Sequence, residues 1–157
     1  MAPEFTPVTP GLVKKLADSM READALECRA LGLSPLEAVS SSVIASTDSV
    51  ALVREGEVLA IAGLLLETRL LGPRVAQAWV LTSRLVDTYP MSFHRAARAF
   101  LRAAALQADV LYNRVDARYV RSVRWLEQLG FVVLPPRPYG PEGQLFHMCA
   151  KGGPPWA

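Results

Sequence analysis

The chain of 157 residues is 51% apolar and 20% charged, with a net charge of +2. That composition excludes a wholly disordered chain and supplies enough apolar side chain for one buried core. A single domain over residues 1–150 with a flexible tail at 151–157 is the simplest expectation.

Charge is unevenly distributed. Residues 84–124 hold eight Arg and three Asp, a local sum of +5, and the remainder sums to −3. Of the 17 basic residues, 14 are Arg and only Lys14, Lys15 and Lys151 are Lys. Cys28 and Cys149 stand far apart, and neither His94 nor His147 is at ligand spacing to them. The sequence therefore predicts no metal site and two free thiols in a reducing compartment. The N-terminal MAPEFTPVTP lacks a basic start followed by an apolar run, so no secretion signal is read there. The longest apolar run, Val58 to Leu66, is well short of the roughly 20 residues of a membrane span, and a soluble protein is expected.

In chain order, Glu4 to Val8 is a short first strand. Thr9-Pro10 opens a helix with Pro at its first position, an inward stripe of Leu12, Leu16, Met20, Ala23 and Leu26 or Glu27, and a stop at Gly32. Ser34-Pro35-Leu36-Glu37 is a capping box that starts a second helix, running to about Ser46. Ser49 to Glu55 and Glu57 to Glu67 are strands around the Glu55-Gly56 turn. Val75 to Ser83 is a strand apolar enough to be central, carrying Trp79. Arg84 to Pro90 is a loop, and a helix rich in Ala and Arg follows from Met91 to about Ala108.

The stretch from Asp109 to Leu134 is the most regular. A strand over Val110 to Val115 leads to Asp116, read as the N-cap of a helix. Tyr119, Val123, Leu126 and Leu129 fall on one face of that helix. Gly130 ends it and Phe131-Val132-Val133 returns as strand. Leu134 to Gly143, with four Pro and two Gly, is an extended connection before a last strand, Gln144 to Ala150. The order is β-α-α-β-β-β-α-β-α-β-β, which predicts an α/β (α+β) domain with a mixed sheet and helices on both faces.

That order, with Trp125-Leu126-Glu127-Gln128-Leu129-Gly130-Phe131 as its final helix and Gly-Phe end, resembles the GNAT superfamily, the Gcn5-related N-acetyltransferases. A closer resemblance is to a small GNAT-like family of short-tailed phages, which includes internal virion (core) proteins required for particle assembly. It is carried by Gln77-Ala78-Trp79-Val80-Leu81-Thr82-Ser83, Asn113-Arg114-Val115, Trp125 to Phe131, Gln144-Leu145-Phe146 and Lys151-Gly152-Gly153. Asp24 and Glu27, before Ala30 and Gly32, are similar to that family's first helix. The resemblance implies virion or scaffold proteins as partners, and residence in the host cytoplasm during assembly or in the virion.

The superfamily resemblance also implies acetyl-CoA, held by backbone N–H groups of a Gly-rich loop after the central strand. Here that loop reads Ser83-Arg84-Leu85-Val86-Asp87-Thr88-Tyr89-Pro90-Met91-Ser92, without glycine and with Pro90 removing a donor. Thr82, Ser83 and Arg84 are the candidates to touch such a cofactor. The superfamily's usual acid position, four residues before the Gly-Phe glycine, falls on Leu126, which has no proton to give, and its frequent Asn falls on Tyr119. Tyr119 or Tyr112 is the substitute acid, and Glu67 and Asp116 are the candidate bases. Asp24 and Glu27, three apart, read as a solvated helix face, as a pair with Arg21, or as an acidic lip for a substrate.

Arg95, Arg98 and Arg102 form one stripe, and Arg118, Arg121 and Arg124 another. They read as solvated faces or as a basic surface for nucleic acid or an acidic partner. The sequence favours a GNAT-like phage protein without acetyltransferase activity and without cofactor, acting by protein contacts in assembly or inside the particle. Contact strips are expected at Leu134–Gly143 and at Trp156. The alternatives are an active acetyl-CoA-dependent N-acyltransferase with an atypical cofactor loop, and a nucleic-acid-binding accessory protein.

Overall fold

The computed structural model describes residues 1–155, so Trp156 lies outside the described residues. The elements are β1 (Glu4–Thr6), α1 (Pro10–Asp18), α2 (Glu22–Ala30), α3 (Pro35–Ala45), β2 (Asp48–Arg54), β3 (Glu57–Leu66) and β4 (Val75–Thr82). A 3-10 turn (Arg84–Asp87) then leads to α4 (Pro90–Ala105), β5 (Val110–Asp116), α5 (Val120–Gln128), β6 (Val132–Val133), β7 (Arg137–Tyr139) and β8 (Gln144–Lys151). The strands form one mixed sheet of order β1-β2-β3-β4-β5-β8-β6, with β7 also paired to β8. Only β4 and β5 run parallel, as the helical crossover between them requires.

Alternate side chains of β4 divide the core into two layers. Ala76 and Ala78 join Leu101 and Ala104 of α4, with Val123, Trp125 and Leu126 of α5 packed against them. Trp79 and Leu81 pack instead with Leu16 of α1, Cys28 of α2 and Ala38 and Val39 of α3. Helices therefore cover both faces of the sheet.

The local signals act as their chemistry requires. Thr9 Oγ1 accepts from Leu12 N at 3.2 Å and Ser34 Oγ from Glu37 N at 3.2 Å, each cap worth about 1 kcal/mol. Gly130, at φ +95°, ends α5. Its N–H donates to Glu127 O and that of Phe131 to Leu126 O, the paired bonds that close a helix on a left-handed residue.

Four expectations are corrected. The first helix is two, because the chain breaks at residues 19–21 to meet β4: Met20 bridges Ser83 and Arg21 N donates to Thr82 O at 2.9 Å. Asp116 is not a helix cap but the last residue of β5, paired with Phe146. Its carboxylate accepts from Arg118 N, and Tyr119 stands at the N-cap of α5 with no side-chain bond. The Pro-rich connection contains β7, whose Tyr139 packs edge-on against Phe146. The last strand runs one residue past Ala150: Lys151 belongs to β8 and donates to Leu129 O at 2.7 Å, while Gly152, Gly153 and Pro154 are exposed.

Gly63 of β3 faces the Trp79 indole across the strand pair, and a Cβ there would lie 2.7 Å from Trp79 Nε1. That nitrogen is held by Ser46 Oγ at 2.7 Å, so the ring cannot retreat without losing its bond. Gly63→Ala is expected to destabilise the domain by about 1–3 kcal/mol. A thermal melt reads this as a drop of several degrees, and an unchanged melting temperature contradicts the packing described.

Candidate functional site

β4 and β5 pair over only three residues, Val75–Gln77 against Val110–Tyr112, and then separate. A side-chain bond, Gln77 Nε2 to Asn113 Oδ1 at 3.3 Å, marks the fork. Beyond it the strands diverge into a cleft of about 620 Å³. Its walls come from α2 (Asp24, Glu27), the end of β4 (Thr82), the start of α4 (Met91, His94), β5 (Arg114) and α5 (Arg121, Trp125).

The exit from β4 is the part that a diphosphate would have to meet. Seven of the eight N–H groups from Thr82 to Tyr89 donate within the protein. Thr82 N donates to Asp24 Oδ2 at 2.7 Å, Ser83 N to Leu59 O at 2.8 Å, and Arg84 N to Ser19 O at 3.0 Å. Leu85 N donates to Ser83 Oγ, Val86 N to Ser83 O, and both Thr88 N and Tyr89 N to Leu85 O. Asp87 closes the 3-10 turn, and Pro90, which has no N–H, opens α4. A diphosphate cradle needs consecutive free donors that point outward. The segment does not fit that requirement, so no step through acetyl-CoA is derived for this chain.

On the α4–α5 side the cleft is lined by Phe93, His94 and Trp125. Phe93 stacks on Trp125 with ring centroids 5.2 Å apart, a contact worth about 0.5–1.5 kcal/mol beyond burial. Trp125 Nε1 donates to His94 Nδ1 at 3.2 Å. Beneath lies a separate apolar cavity of about 80 Å³, and Trp79, Val80, Phe93, Asn113, Trp125 and Leu126 line both spaces.

The opposite wall is acidic. Asp24 accepts from both the N–H and the Oγ1 of Thr82, the latter at 2.5 Å. Burial pushes the Asp24 carboxyl above the usual range, against the two Thr82 bonds. Burial, with the neighbouring Asp24 charge, pushes Glu27 up to about 8; the N–H of Asp116 and the Arg118 charge act the other way. Both carboxyls line the cleft. The acidic-lip reading of this pair therefore describes the geometry, and the solvated helix face does not. Arg21 turns to Asp87, at 3.4 Å. Spacing placed the two carboxyls together; nothing local showed that β4 would pass across them.

The structure separates most of the residues nominated from sequence. Thr82 lines the cleft with its hydroxyl engaged by Asp24, and Arg121 lines it from α5. Ser83 is fully buried and donates to Val58 O, and Arg84 is exposed outside the cleft. Glu67 is bound to Arg69 and to the Tyr112 hydroxyl at 2.8 Å, at the closed end of the β4–β5 pair, and these bonds hold its carboxyl below the usual range. Asp116 is fully buried in a salt bridge with Arg118 at 2.7 Å. Tyr119, at the N-cap of α5, does not line the cleft. His94 is half-buried and bonded to Trp125. Among the described residues no group of three or more His, Cys, Asp or Glu is placed to hold a metal ion.

The raised Glu27 carboxyl gives a signed pH dependence. Between about pH 4.5 and 8 the folded chain holds a proton that the unfolded chain releases, so the fold loses stability as pH rises through that window. Glu27→Gln removes the penalty. It is expected to raise the melting temperature at pH 8.5, by on the order of 1–3 kcal/mol of stability, and to do little at pH 5. A Glu27→Gln effect equal at both pH values contradicts the burial of this carboxyl.

Comparison with known proteins yields structural neighbours only. No family profile matches the chain, and no curated protein matches it in sequence. Among solved structures it is similar to ribosomal-protein-alanine N-acetyltransferase from Brucella melitensis, at 15% identity and TM-score 0.68, covering 94% of this chain and 98% of that one. It is similar to aminoglycoside 6'-acetyltransferase type Ii at 18% identity and TM-score 0.67, covering 94% and 96%. A GNAT-family acetyltransferase from Streptococcus agalactiae matches at 12% identity and TM-score 0.67, covering 95% and 94%. The chain has the fold of the GNAT acetyltransferases.

Proposed function

We propose that this chain is a GNAT-fold domain that works by contact rather than by acyl transfer, in the assembly or interior of a short-tailed phage particle. The observation that carries the first half is the exit from β4, where seven of the eight main-chain donors of residues 82–89 are engaged inside the protein. The phage context rests on the likeness of Gln77–Ser83, Asn113–Val115 and Trp125–Phe131 to the core-protein family of those phages. The partners are then virion or scaffold proteins. The β7 segment, exposed along Arg137–Tyr139, is the contact strip within the described residues.

A second reading has one observation in its favour. A carboxyl pushed to about 8 beside an open cleft suits proton transfer from an amine near neutral pH. On that reading the protein is an N-acyltransferase whose coenzyme is held by means other than the β4 exit.

Calorimetric titration with acetyl-CoA separates the two. The contact reading expects no binding heat and no rise in melting temperature at coenzyme concentrations of about 1 mM; micromolar binding sinks it. Complementation tests the context. In a phage encoding this chain, its removal is expected to lower particle yield, and an Asp24→Asn/Glu27→Gln double variant to restore it. Failure of a folded double variant to restore yield favours the catalytic reading instead.

A further inference from the structure

We propose that the outer face of α4 and α5 is a docking surface for the phosphate backbone of duplex nucleic acid. This goes beyond the contact reading above, because that reading assigns no role to this face.

Both helices pack on the same layer of core and touch one another through Phe93, His94 and Trp125, so their outer faces are neighbours. Arg95, Arg98 and Arg102 of α4 and Arg121 and Arg124 of α5 are all exposed, Arg121 at the edge of the cleft that it also lines. Among the described residues none of the five makes a salt bridge, whereas Arg21, Arg54, Arg74 and Arg118 each do. Glu127 is the only carboxylate on either helix, which leaves five unpaired guanidinium groups against one negative charge.

What lies between the arginines decides the partner. From Arg95 to Ala105 the exposed positions of α4 are only Arg and Ala. A stable protein interface needs a desolvated centre with aromatic or large apolar anchors, and that stretch offers none. Short alanines flanked by guanidinium groups instead let a broad polyanion approach the helix, and each guanidinium fork matches two phosphate oxygens. Among the described residues the exposed aromatic side chains, Phe5 and Tyr139, belong to β1 and β7 and not to either helix. A single strand, which binds by stacking its bases, therefore finds no platform here. The surface fits the backbone of a duplex, read without regard to sequence.

The test is fluorescence anisotropy of the full chain with a labelled duplex DNA of about 20 base pairs, across a salt series starting near 50 mM. Binding is expected at low salt, with affinity falling linearly in log–log form against salt. The Arg95→Ala/Arg98→Ala/Arg102→Ala variant is expected to lose at least tenfold in affinity and to flatten the salt slope by about 2–3. Arg29→Ala, on exposed α2 across the sheet, is the control and is expected to bind as the parent does. Arg98→Glu/Arg124→Glu provides a second variant, and circular dichroism confirms that each is folded. The proposal is overturned by absence of binding at 50 mM salt, by a triple variant that binds like the parent, or by poly-glutamate competing as well as duplex. That last result would assign the face to an acidic protein.

Discussion

The junction between the α1–α2 break and the end of β4 governs the rest of this molecule. Met20 bridges Ser83, Arg21 N donates to Thr82 O, Arg84 N donates to Ser19 O, and Asp24 takes both donors of Thr82. Buried main-chain groups must be paired, and here a strand end finds its partners in a broken helix rather than in another strand. The consequence is felt on both sides. The amides leaving β4 are turned inward, and Asp24 and Glu27 are drawn onto the wall of the cleft.

The same junction shapes the exit from β4, where most of the N–H groups are engaged within the protein. A glycine-rich loop can turn its N–H groups outward because its backbone reaches conformations that side chains forbid. Residues 83–90 contain no glycine, and the chain settles into a 3-10 turn that satisfies its own donors. The Phe93–Trp125 stack then bridges the helices above the gap between β4 and β5.

Local chemistry was legible wherever the cause lay within a few residues. The Ser34 cap, the Glu55-Gly56 turn and the Gly130 stop were readable because each works through bonds spanning three to five residues. The order of strands and helices followed from periodicity, and so did the mixed sheet. What was hidden had distant causes. The break at residues 19–21 answers to a strand some sixty residues later, and α1–α2 carries no glycine or proline there to announce it. Asp116 looked like a helix cap because it follows an apolar strand, yet pairing with Phe146 keeps it in the sheet. Glu27 looked solvated because a helical wheel does not show which face another element will cover. The partition made by Trp125 and His94 was equally invisible, since residues 31 apart must meet to build it.

The central claim is that the N–H groups leaving β4, from Thr82 to Val86, are engaged within the protein and so are not free for a diphosphate. Amide NMR of residues 82–92 during titration with coenzyme A tests it most directly. The account predicts slow hydrogen exchange at Ser83, Arg84 and Val86 in the free protein, and no change in their resonances at millimolar ligand. Rapid exchange there, with saturable shifts across Arg84 to Ser92 as coenzyme is added, would contradict it and make the protein a coenzyme-binding enzyme.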